Sequence, residues 1–315
     1  MSSILCYDIA VESNLIIRPV NGIGNRLNVI FSSIVIANAT NRKLLVYWGY
    51  SQEFDESKFD ELFQTDLNIN FISESEWYKL RCNSVQIDKE VKFKKMIKRG
   101  LFEFDPDYNK NFKISDLIDS LFYKRKRNYS FEGFRYLWAY FDPDKPEDNV
   151  LWTLLWKRDI VDIGSFCEKI KPAEGIDLII EDTLKSYDSN VYGIHIRRGD
   201  TLDHDWGKNY HGVSTDKLFE KKIQEIIDEK PDAKFYLSTD EKETLEKFIS
   251  KFGDRIIYLK KEFVTSRAAT YKGGQIDAAA EMFLLSKTKK IFGTNWSTFG
   301  ETASRFTGIP YEVVK

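Results

Sequence analysis

The sequence has no excess of charge of one sign and contains few cysteines. Its 315 residues include 47 basic and 49 acidic side chains, which give a formal charge of −2 with the histidines neutral. Nucleic-acid-binding proteins usually carry a basic excess, so this balance argues against that class. The three cysteines, Cys6, Cys82 and Cys167, are too few for a disulfide framework and too scattered for a zinc site.

Long apolar runs are lacking as well. No run approaches the roughly 20 residues that a membrane span needs, and residues 1–10 contain no basic cluster that would begin a secretion signal. We therefore expect a cytoplasmic protein without a membrane span, or one whose anchor is not part of the given sequence. Apolar residues make up 42% of the chain and aromatic residues 15%, which is enough to build a sizeable core and excludes general disorder.

A βαβ unit is predicted near the start of the sequence. Residues 15–20 and 43–48 read as strands, and a glycine-containing turn at 21–25 follows the first of them. Apolar residues then recur at helical spacing, namely Leu27, Ile30, Phe31, Ile34 and Ala37. Strand, turn, helix and strand in this order predict a parallel pair.

Strand and helix patterns alternate again from residue 190 onwards. The predicted strands lie at 191–196, 234–238, 255–259, 290–293 and 311–314, and the predicted helices at 218–227, 245–252, 276–285 and 297–305. Residues 54–188 are less regular, although 131–140 alternate partly as a strand does. The alternation predicts an α/β protein with two Rossmann-like, doubly wound lobes that face each other across a cleft.

In such sheets, ligands bind at the carboxyl ends of the strands. The first candidate segment contains Gly22 and Gly24, which let the backbone approach a ligand closely. A dinucleotide fingerprint would need a third glycine where the chain has Leu27. The interpretation of the chain as a dehydrogenase therefore loses its main support. A tight turn that binds no ligand would explain the two glycines equally well.

The second segment carries Arg197 and Arg198 at the end of a predicted strand. A guanidinium matches phosphate oxygens, and if one arginine faces the cleft we expect the other to pair with an acid such as Asp200. All three histidines and several aspartates lie within residues 195–211, but their irregular spacing gives little support to a metal site. A solvated loop held by ion pairs is the other alternative.

Two further segments end predicted strands. Asp240 can accept hydrogen bonds from a ribose or from guanine, or it can cap the next helix. Thr298 and Glu301 fit a capping box, and the helix start with Ser297 and Thr298 is suited to an anion, although a capped helix without a ligand is an equal alternative. Together, the four segments predict a nucleotide-diphosphate site without a metal.

These motifs resemble those of the fucosyltransferase superfamily, which spans α1,2-, α1,6- and protein O-fucosyltransferases. The similarity covers the first fifty residues and about 190–314. Its segments are His195-x-Arg197-Arg198-Gly199-Asp200, Gly22-x-Gly24-Asn25-Arg26, Ser238-Thr239-Asp240, the helix at 277–285 and Ser297-Thr298-Phe299.

The resemblance implies a GT-B fold and an inverting, metal-independent transfer of L-fucose from GDP-fucose to a glycan or protein hydroxyl. Residues 1–185 would form the lobe on the acceptor side, and residues 186–315 the lobe that binds the nucleotide sugar. The implied partners are this donor and a glycan acceptor, with no further cofactor. The alternatives are a transferase that uses another nucleotide-diphosphate sugar and a non-catalytic module that binds a GDP-sugar.

The resemblance also implies roles for individual residues. Arg197 would hold the β-phosphate, Asn25 would face the reacting centre, and Asp205 is our choice for the base, with Asp200 and Asp203 open. The residues expected to bind the donor are Gly22, Gly24, His195, Arg198, Asp240, Ser297, Thr298 and Phe299. Among these, His195 and Asp240 would contact the guanosine. Thr201 departs from both the α1,2 and the α1,6 patterns, so the linkage formed is not specified.

Overall fold

The computed structural model describes residues 14–39, 42–50, 57–86, 128–133, 163–198, 208–209, 211–263 and 274–315. Its strands are β1 (Asn14–Pro19), β2 (Lys43–Val46), β3 (Phe63–Thr65), β4 (Asn70–Phe71), β5 (Val85–Gln86), β6 (Tyr129–Gly133), β7 (Ile170–Pro172), β8 (Val191–Ile196), β9 (Lys234–Thr239), β10 (Ile256–Ile257), β11 (Ile291–Thr294) and β12 (Tyr311–Val314). Its helices are α1 (Ile23–Ala39), α2 (Phe59–Leu62), α3 (Glu74–Cys82), α4 (Ile163–Cys167), α5 (Glu174–Leu184), α6 (Asp216–Glu229), α7 (Lys242–Phe252), α8 (Gly274–Ser286) and α9 (Thr298–Arg305).

The chain divides into two compact units built from separate segments. The described residues of Met1–Pro19, Ser32–Tyr47 and Ile69–Val161 form the first unit. Those of Val20–Phe31, Trp48–Asn68 and Asp162–Lys315 form the second. The lobe boundary at residue 185 stays a prediction.

The first unit contains a five-stranded sheet in the order β4-β2-β1-β6-β5, with every neighbouring pair parallel. The predicted βαβ unit at its centre is confirmed, because Ile16 of β1 lies opposite Leu45 of β2. β1 is central and carries three apolar residues that are at most 1% exposed. The strand predicted at 131–140 is β6, which begins at Tyr129, and residues 134–140 lie outside the described ranges.

The second unit contains the second sheet, in the order β10-β9-β8-β11-β12, again parallel throughout. β8 is central and its six residues are all buried, as is typical of a strand covered on both faces. Since β8 pairs with β9 on one side and β11 on the other, these three strands end at the same edge of the sheet.

Helices cover this sheet according to the apolar patterns of the sequence. α6 and α7 bury Phe219, Ile223 and Phe248 against a core that includes Ile194 and Phe235. The predicted strand at 255–259 is shorter than expected, because Gly253–Arg255 forms a 3₁₀ turn and β10 has only two residues. Within the described ranges, no helix is long and apolar enough to cross a membrane.

Gly193 lets β8 pack closely against its neighbours. A Cβ atom at this position would lie 2.8 Å from Thr288 Oγ1, 3.0 Å from Leu285 Cδ2 and 3.1 Å from Ile291 Cγ1. Three different side chains contribute these atoms, so no single side-chain movement would relieve the overlap.

We therefore predict that Gly193→Ala lowers the free energy of unfolding by about 1–3 kcal/mol, the usual cost of overpacking a core. Gly175→Ala is the matched control, since a Cβ atom there would have no neighbour within 4 Å and alanine favours the helix. Urea denaturation of both variants measures the difference. Equal stability of the two variants would contradict the prediction.

Candidate functional site

The predicted site residues of the second sheet follow strands that end at one edge. His195 is the fifth residue of β8 and lies opposite Ser238 of β9 and Gly293 of β11. Arg197 and Asp240 come directly after β8 and β9. The parallel order of the strands therefore brings these segments together although more than forty residues separate them in sequence.

Arg197 is held at this edge by its backbone and by its side chain. Its amide donates to Thr294 Oγ1 at 2.9 Å, and that hydroxyl donates to the carbonyl of His195 at 3.1 Å. Its guanidinium Nη1 donates to Asp240 Oδ2 at 2.5 Å, while 35% of the side chain stays exposed. The arginine is therefore oriented by its neighbours yet accessible.

Arg198 has different surroundings. Its side chain is 7% exposed and binds Asp216 Oδ1 through Nε and Nη2, at 3.1 and 2.7 Å, and Nη2 also donates to the carbonyl of Ser214. Burial acts to raise the pKa of Asp216, but hydrogen bonds from Lys247 and Arg198 lower it below its usual value. The expected pairing of one arginine with an acid is thus found, with Asp216 as the acid, while Asp200 lies outside the described residues.

Asp240 uses both carboxylate oxygens within the protein. Oδ2 accepts from Arg197 Nη1, and Oδ1 accepts from the amide of Arg198 at 2.8 Å. The alternative that Asp240 caps the next helix is wrong, because the residue preceding α7 is Glu241. Asp240 instead joins the end of β9 to the two arginines after β8.

His195 is a buried, neutral imidazole. It is 5% exposed, and its ring stacks on that of Phe299 with the centroids 4.9 Å apart and the planes inclined by 21°. Burial lowers the pKa of His195 to about 3, an effect opposed by Asp240 and reinforced by the charge of Arg197. Among the described residues, its Nδ1 has no hydrogen-bond partner.

The helix predicted to begin near Ser297 is present as α9. The predicted capping box is wrong, however, because Thr298 Oγ1 donates to Asn25 Oδ1 at 3.2 Å and Glu301 pairs with Arg305 at 2.5 Å. Ser297 occupies the N-cap position, and its side chain makes no capping hydrogen bond. The hydroxyls of both residues are therefore not used to cap the first turn.

The glycine turn at 21–25 lies against α9, within the second unit. A Cβ atom on Gly24 would be 3.1 Å from the carbonyl oxygen of Thr298, whereas one on Gly22 would have no neighbour within 4 Å. One helical turn further along, Thr302 Oγ1 donates to Asn28 Oδ1 at 3.3 Å. The start of α1 and the start of α9 are thus joined by two side-chain hydrogen bonds.

Arg26 supports this turn, a role that the sequence analysis did not assign although Arg26 belongs to the quoted motif. Its side chain is fully buried, and Nε and Nη2 donate to the carbonyls of Asn21 and Gly49, each at 2.9 Å. The guanidinium lies over the ring of Trp48, 5.0 Å from its centroid. Asn21 has a left-handed backbone with φ of 68°, which asparagine tolerates better than most residues.

The sequence analysis also did not predict a buried ion pair beside the end of β9. Lys261 Nζ donates to Glu281 Oε2 at 2.6 Å and to the carbonyl of Thr239 at 2.8 Å, and the two side chains are 11% and 7% exposed. Burial raises the pKa of Glu281, and Lys261 opposes that shift. Lysines and glutamates are too frequent on surfaces for such a pair to be predicted from one sequence.

The proposed base lies outside the residues that the structure describes. This applies to Asp205 and to the alternatives Asp200 and Asp203. Within the described ranges, no group of three or more His, Cys, Asp or Glu side chains is placed to hold a metal ion. Metal independence stays a prediction.

No protein-family model matches the chain, and no curated protein matches its sequence. Solved structures do match. The fucosyltransferase NodZ from Bradyrhizobium gives a TM-score of 0.54 at 17% identity, covering 93% of this chain and 92% of its own. A variant of FUT1 from Arabidopsis thaliana gives 0.57 at 16% identity, covering 96% of this chain and 70% of its own. POFUT1 gives 0.51 at 12% identity, covering 96% and 99%.

The chain therefore has the fold of the fucosyltransferases. The predicted fold class, an α/β protein of GT-B type with doubly wound parallel sheets, is confirmed. The likeness in structure agrees with the likeness in motifs, which involves Arg197, Asp240 and the start of α9. At these levels of identity, the structural likeness establishes the fold.

The buried histidine leads to a prediction about pH. The ordinary pKa of histidine is 6.5, and that of His195 in the folded protein is about 3, so between these values the unfolded chain binds more protons. Stability therefore falls as the pH decreases below 6.5, by at most about 1.4 kcal/mol per pH unit from this residue. We expect His195→Phe, which keeps a ring against Phe299, to lose that part of the acid sensitivity. Urea denaturation at pH 7.5, 6.5 and 5.5 measures it, and equal slopes below pH 6.5 would contradict the assignment.

Proposed function

We propose that the protein is an inverting, metal-independent glycosyltransferase that moves L-fucose from GDP-fucose to a hydroxyl of a glycan or protein. The observation that carries the proposal is the placement of Arg197. This arginine is fixed by Asp240 and Thr294 at the sheet edge from which α9 begins. Solved structures with the same fold include NodZ soaked with GDP-fucose and complexes of FUT1 and POFUT1 with GDP, which supports a guanine nucleotide as the ligand.

The diphosphate would bind between Arg197 and the start of α9. Thr294 links the two, since its hydroxyl accepts from the amide of Arg197 and its carbonyl accepts from the amide of Ser297 at 3.2 Å. A guanidinium and the amino end of a helix both favour negative charge, and here they are connected by one residue. On this placement, we propose that Ser297, Thr298 and Phe299 contact the donor.

The guanosine would lie towards β9, where Asp240 and His195 are expected to contact it. Each carboxylate oxygen of Asp240 accepts one hydrogen bond from the protein and retains a second lone pair for a ribose hydroxyl or a base N–H. The neutral ring of His195 adds no positive charge beside the base. Gly22 and Gly24 would allow close approach of the backbone, and we propose that Arg198 contributes indirectly, by fixing Arg197 and Asp240.

In an inverting transfer, the acceptor hydroxyl attacks opposite the departing GDP. Negative charge grows on the β-phosphate as the sugar–oxygen bond breaks, and Arg197 together with the α9 amides would stabilise that charge. The acceptor proton would pass to Asp205. Asn25, whose Oδ1 accepts from Thr298, would offer its amide group to the reacting centre.

A binding experiment and a product analysis together distinguish the two alternatives. An enzyme that uses a UDP-sugar would bind UDP as well as or better than GDP, and one that uses another GDP-sugar would bind GDP but would not turn over GDP-fucose. A non-catalytic module would bind GDP-fucose without hydrolysis or transfer. Thermal-shift titration with GDP, UDP and GDP-fucose, with and without a chelator, distinguishes nucleotide preference and metal dependence. Product analysis of GDP-fucose incubations then separates enzyme from binding module.

We predict that Arg197→Gln lowers the rate of fucose transfer or of donor hydrolysis by about 10²–10³, the usual cost of removing one donor to a developing charge. Arg255→Gln is the matched control, because Arg255 binds the carbonyls of Pro231 and Ala233 just before β9 begins. Release of GDP measures the rate, and calorimetry shows that each variant is folded. Near-normal activity in folded Arg197→Gln would overturn the role.

We also predict that Asp205→Asn causes a large fall in turnover while the affinity for GDP is kept. An amide lacks the basicity needed to accept the acceptor proton, but it replaces the carboxyl without a change in size. Turnover with a fucosyl acceptor and isothermal titration with GDP give the two quantities. An unchanged turnover would eliminate Asp205 as the base and direct the same test to Asp203 and Asp200.

A further inference from the structure

Ser214 is a buried residue whose hydroxyl and carbonyl bond to three other segments of the second unit. It lies two residues before α6, and 0% of it is exposed. Its hydroxyl accepts from the amide of Asn295 at 2.8 Å and donates to the carbonyl of Val314. Its carbonyl accepts from Nη2 of Arg198 at 2.7 Å. Because the residue is buried and its hydroxyl donates and accepts within the protein, Ser214 does not itself contact a ligand.

Arg198 holds the backbone around Ser214. Its guanidinium also binds Asp216 Oδ1, through Nε at 3.1 Å and Nη2 at 2.7 Å, so it fixes the chain at residues 214 and 216. The amide of Arg198 donates to Asp240 Oδ1 at 2.8 Å. The backbone of Ser214 is thereby attached to the residues that follow β8 and β9.

The hydroxyl of Ser214 extends this attachment to the start of α9. Asn295, whose amide it accepts, directly follows β11, and α9 begins three residues later at Thr298. Between them, the amide of Ser297 donates to the carbonyl of Thr294 at 3.2 Å. The bond from Asn295 to Ser214 therefore fixes the turn from which α9 begins.

The end of β12 belongs to the same arrangement. Val314 lies opposite Thr294 in the pairing of β11 with β12, and its carbonyl accepts from the hydroxyl of Ser214. One hydroxyl thus joins the ends of two neighbouring strands to the segment that Arg198 holds. Without it, the amide of Asn295 and the carbonyl of Val314 would both lose this partner.

We propose that Ser214 is a positioning residue, which keeps the start of α9 at the distance from Arg197 that a β-phosphate requires. The inference rests on the proposed function, in which Arg197 and the α9 amides bind the phosphate together. Arg197 follows β8 whereas α9 follows β11, so their spacing depends on bonds between the two segments. Hydrogen bonds weaken steeply as their distance and angle depart from the optimum, so a small displacement of α9 would weaken the binding of the phosphate.

Three variants separate this role from a general loss of stability. Ser214→Ala removes the hydroxyl but keeps the carbonyl that Arg198 binds. Ser214→Cys keeps a side chain of similar shape that is a weaker donor and acceptor. Ser286→Ala is the matched control, because Ser286 is 1% exposed at the end of α8 and its hydroxyl donates to the carbonyl of Phe283 at 2.7 Å.

The measurement is isothermal titration of the wild type and the three variants with GDP and with guanosine monophosphate (GMP), which lacks the β-phosphate. In Ser214→Ala we expect the affinity for GDP to fall by about tenfold, the usual worth of one hydrogen bond to a charged group, and that for GMP to change little. Ser214→Cys should lie between Ser214→Ala and the wild type, and Ser286→Ala should keep both affinities. Calorimetry shows that each protein is folded at the temperature of titration, where a loss of stability alone leaves the ratio of the two affinities unchanged.

Several results would overturn the proposal. Unchanged affinity for GDP in folded Ser214→Ala would do so, and so would an equal loss of GDP and GMP binding, which would not involve the β-phosphate. The same loss in Ser286→Ala would show that any buried serine has this effect. If Ser214→Ala does not fold, the ratio measured for Ser214→Cys decides. If the wild type does not bind GDP, the proposed function itself fails and the inference fails with it.

Discussion

Hydrogen bonds of Thr294 and Asp240 hold together the three strand ends on which the candidate site depends. The hydroxyl of Thr294 accepts from the amide of Arg197 and donates to the carbonyl of His195, so β11 is fixed to the residues that follow β8. Asp240, which directly follows β9, accepts hydrogen bonds from the side chain of Arg197 and from the amide of Arg198, so the end of β9 is joined to the same residues. The accessible guanidinium of Arg197 is therefore held by Asp240, while Thr294 fixes the backbone amide of the same residue.

The two adjacent arginines have different surroundings, and we propose that Arg197 binds the ligand while Arg198 supports it. The side chain of Arg198 is buried and binds Asp216 and the carbonyl of Ser214. Arg197 is therefore the more accessible of the two arginines. Asp216 also binds Lys247, so the support extends to α7. A lysine at 198 would lack the planar fork that reaches Asp216 and Ser214 together, which explains why an arginine suits a position inside the protein.

Periodicity predicted most of the second sheet, because buried parallel strands read as continuous apolar runs and their helices as amphipathic stripes. β8 and β12 have the predicted bounds, 191–196 and 311–314. The partners within the site were less predictable. The prediction of a capping box at Thr298 was wrong because the threonine hydroxyl donates to Asn25, which is 273 residues away in sequence. No local sequence pattern predicts such a contact.

The hydrogen bonds between α1 and α9 have a consequence for how the protein is made. Asn25 with Thr298 and Asn28 with Thr302 are pairs separated by 273 and 274 residues. Loops of this length close slowly, and ribosomes release the early residues long before their partners exist. The hydrogen bonds of Asn25 and Asn28 with α9 therefore cannot form until residues 298 and 302 have been synthesised. Completion of the second unit is therefore a late event in biosynthesis, and until then α1 lacks the partners that α9 supplies.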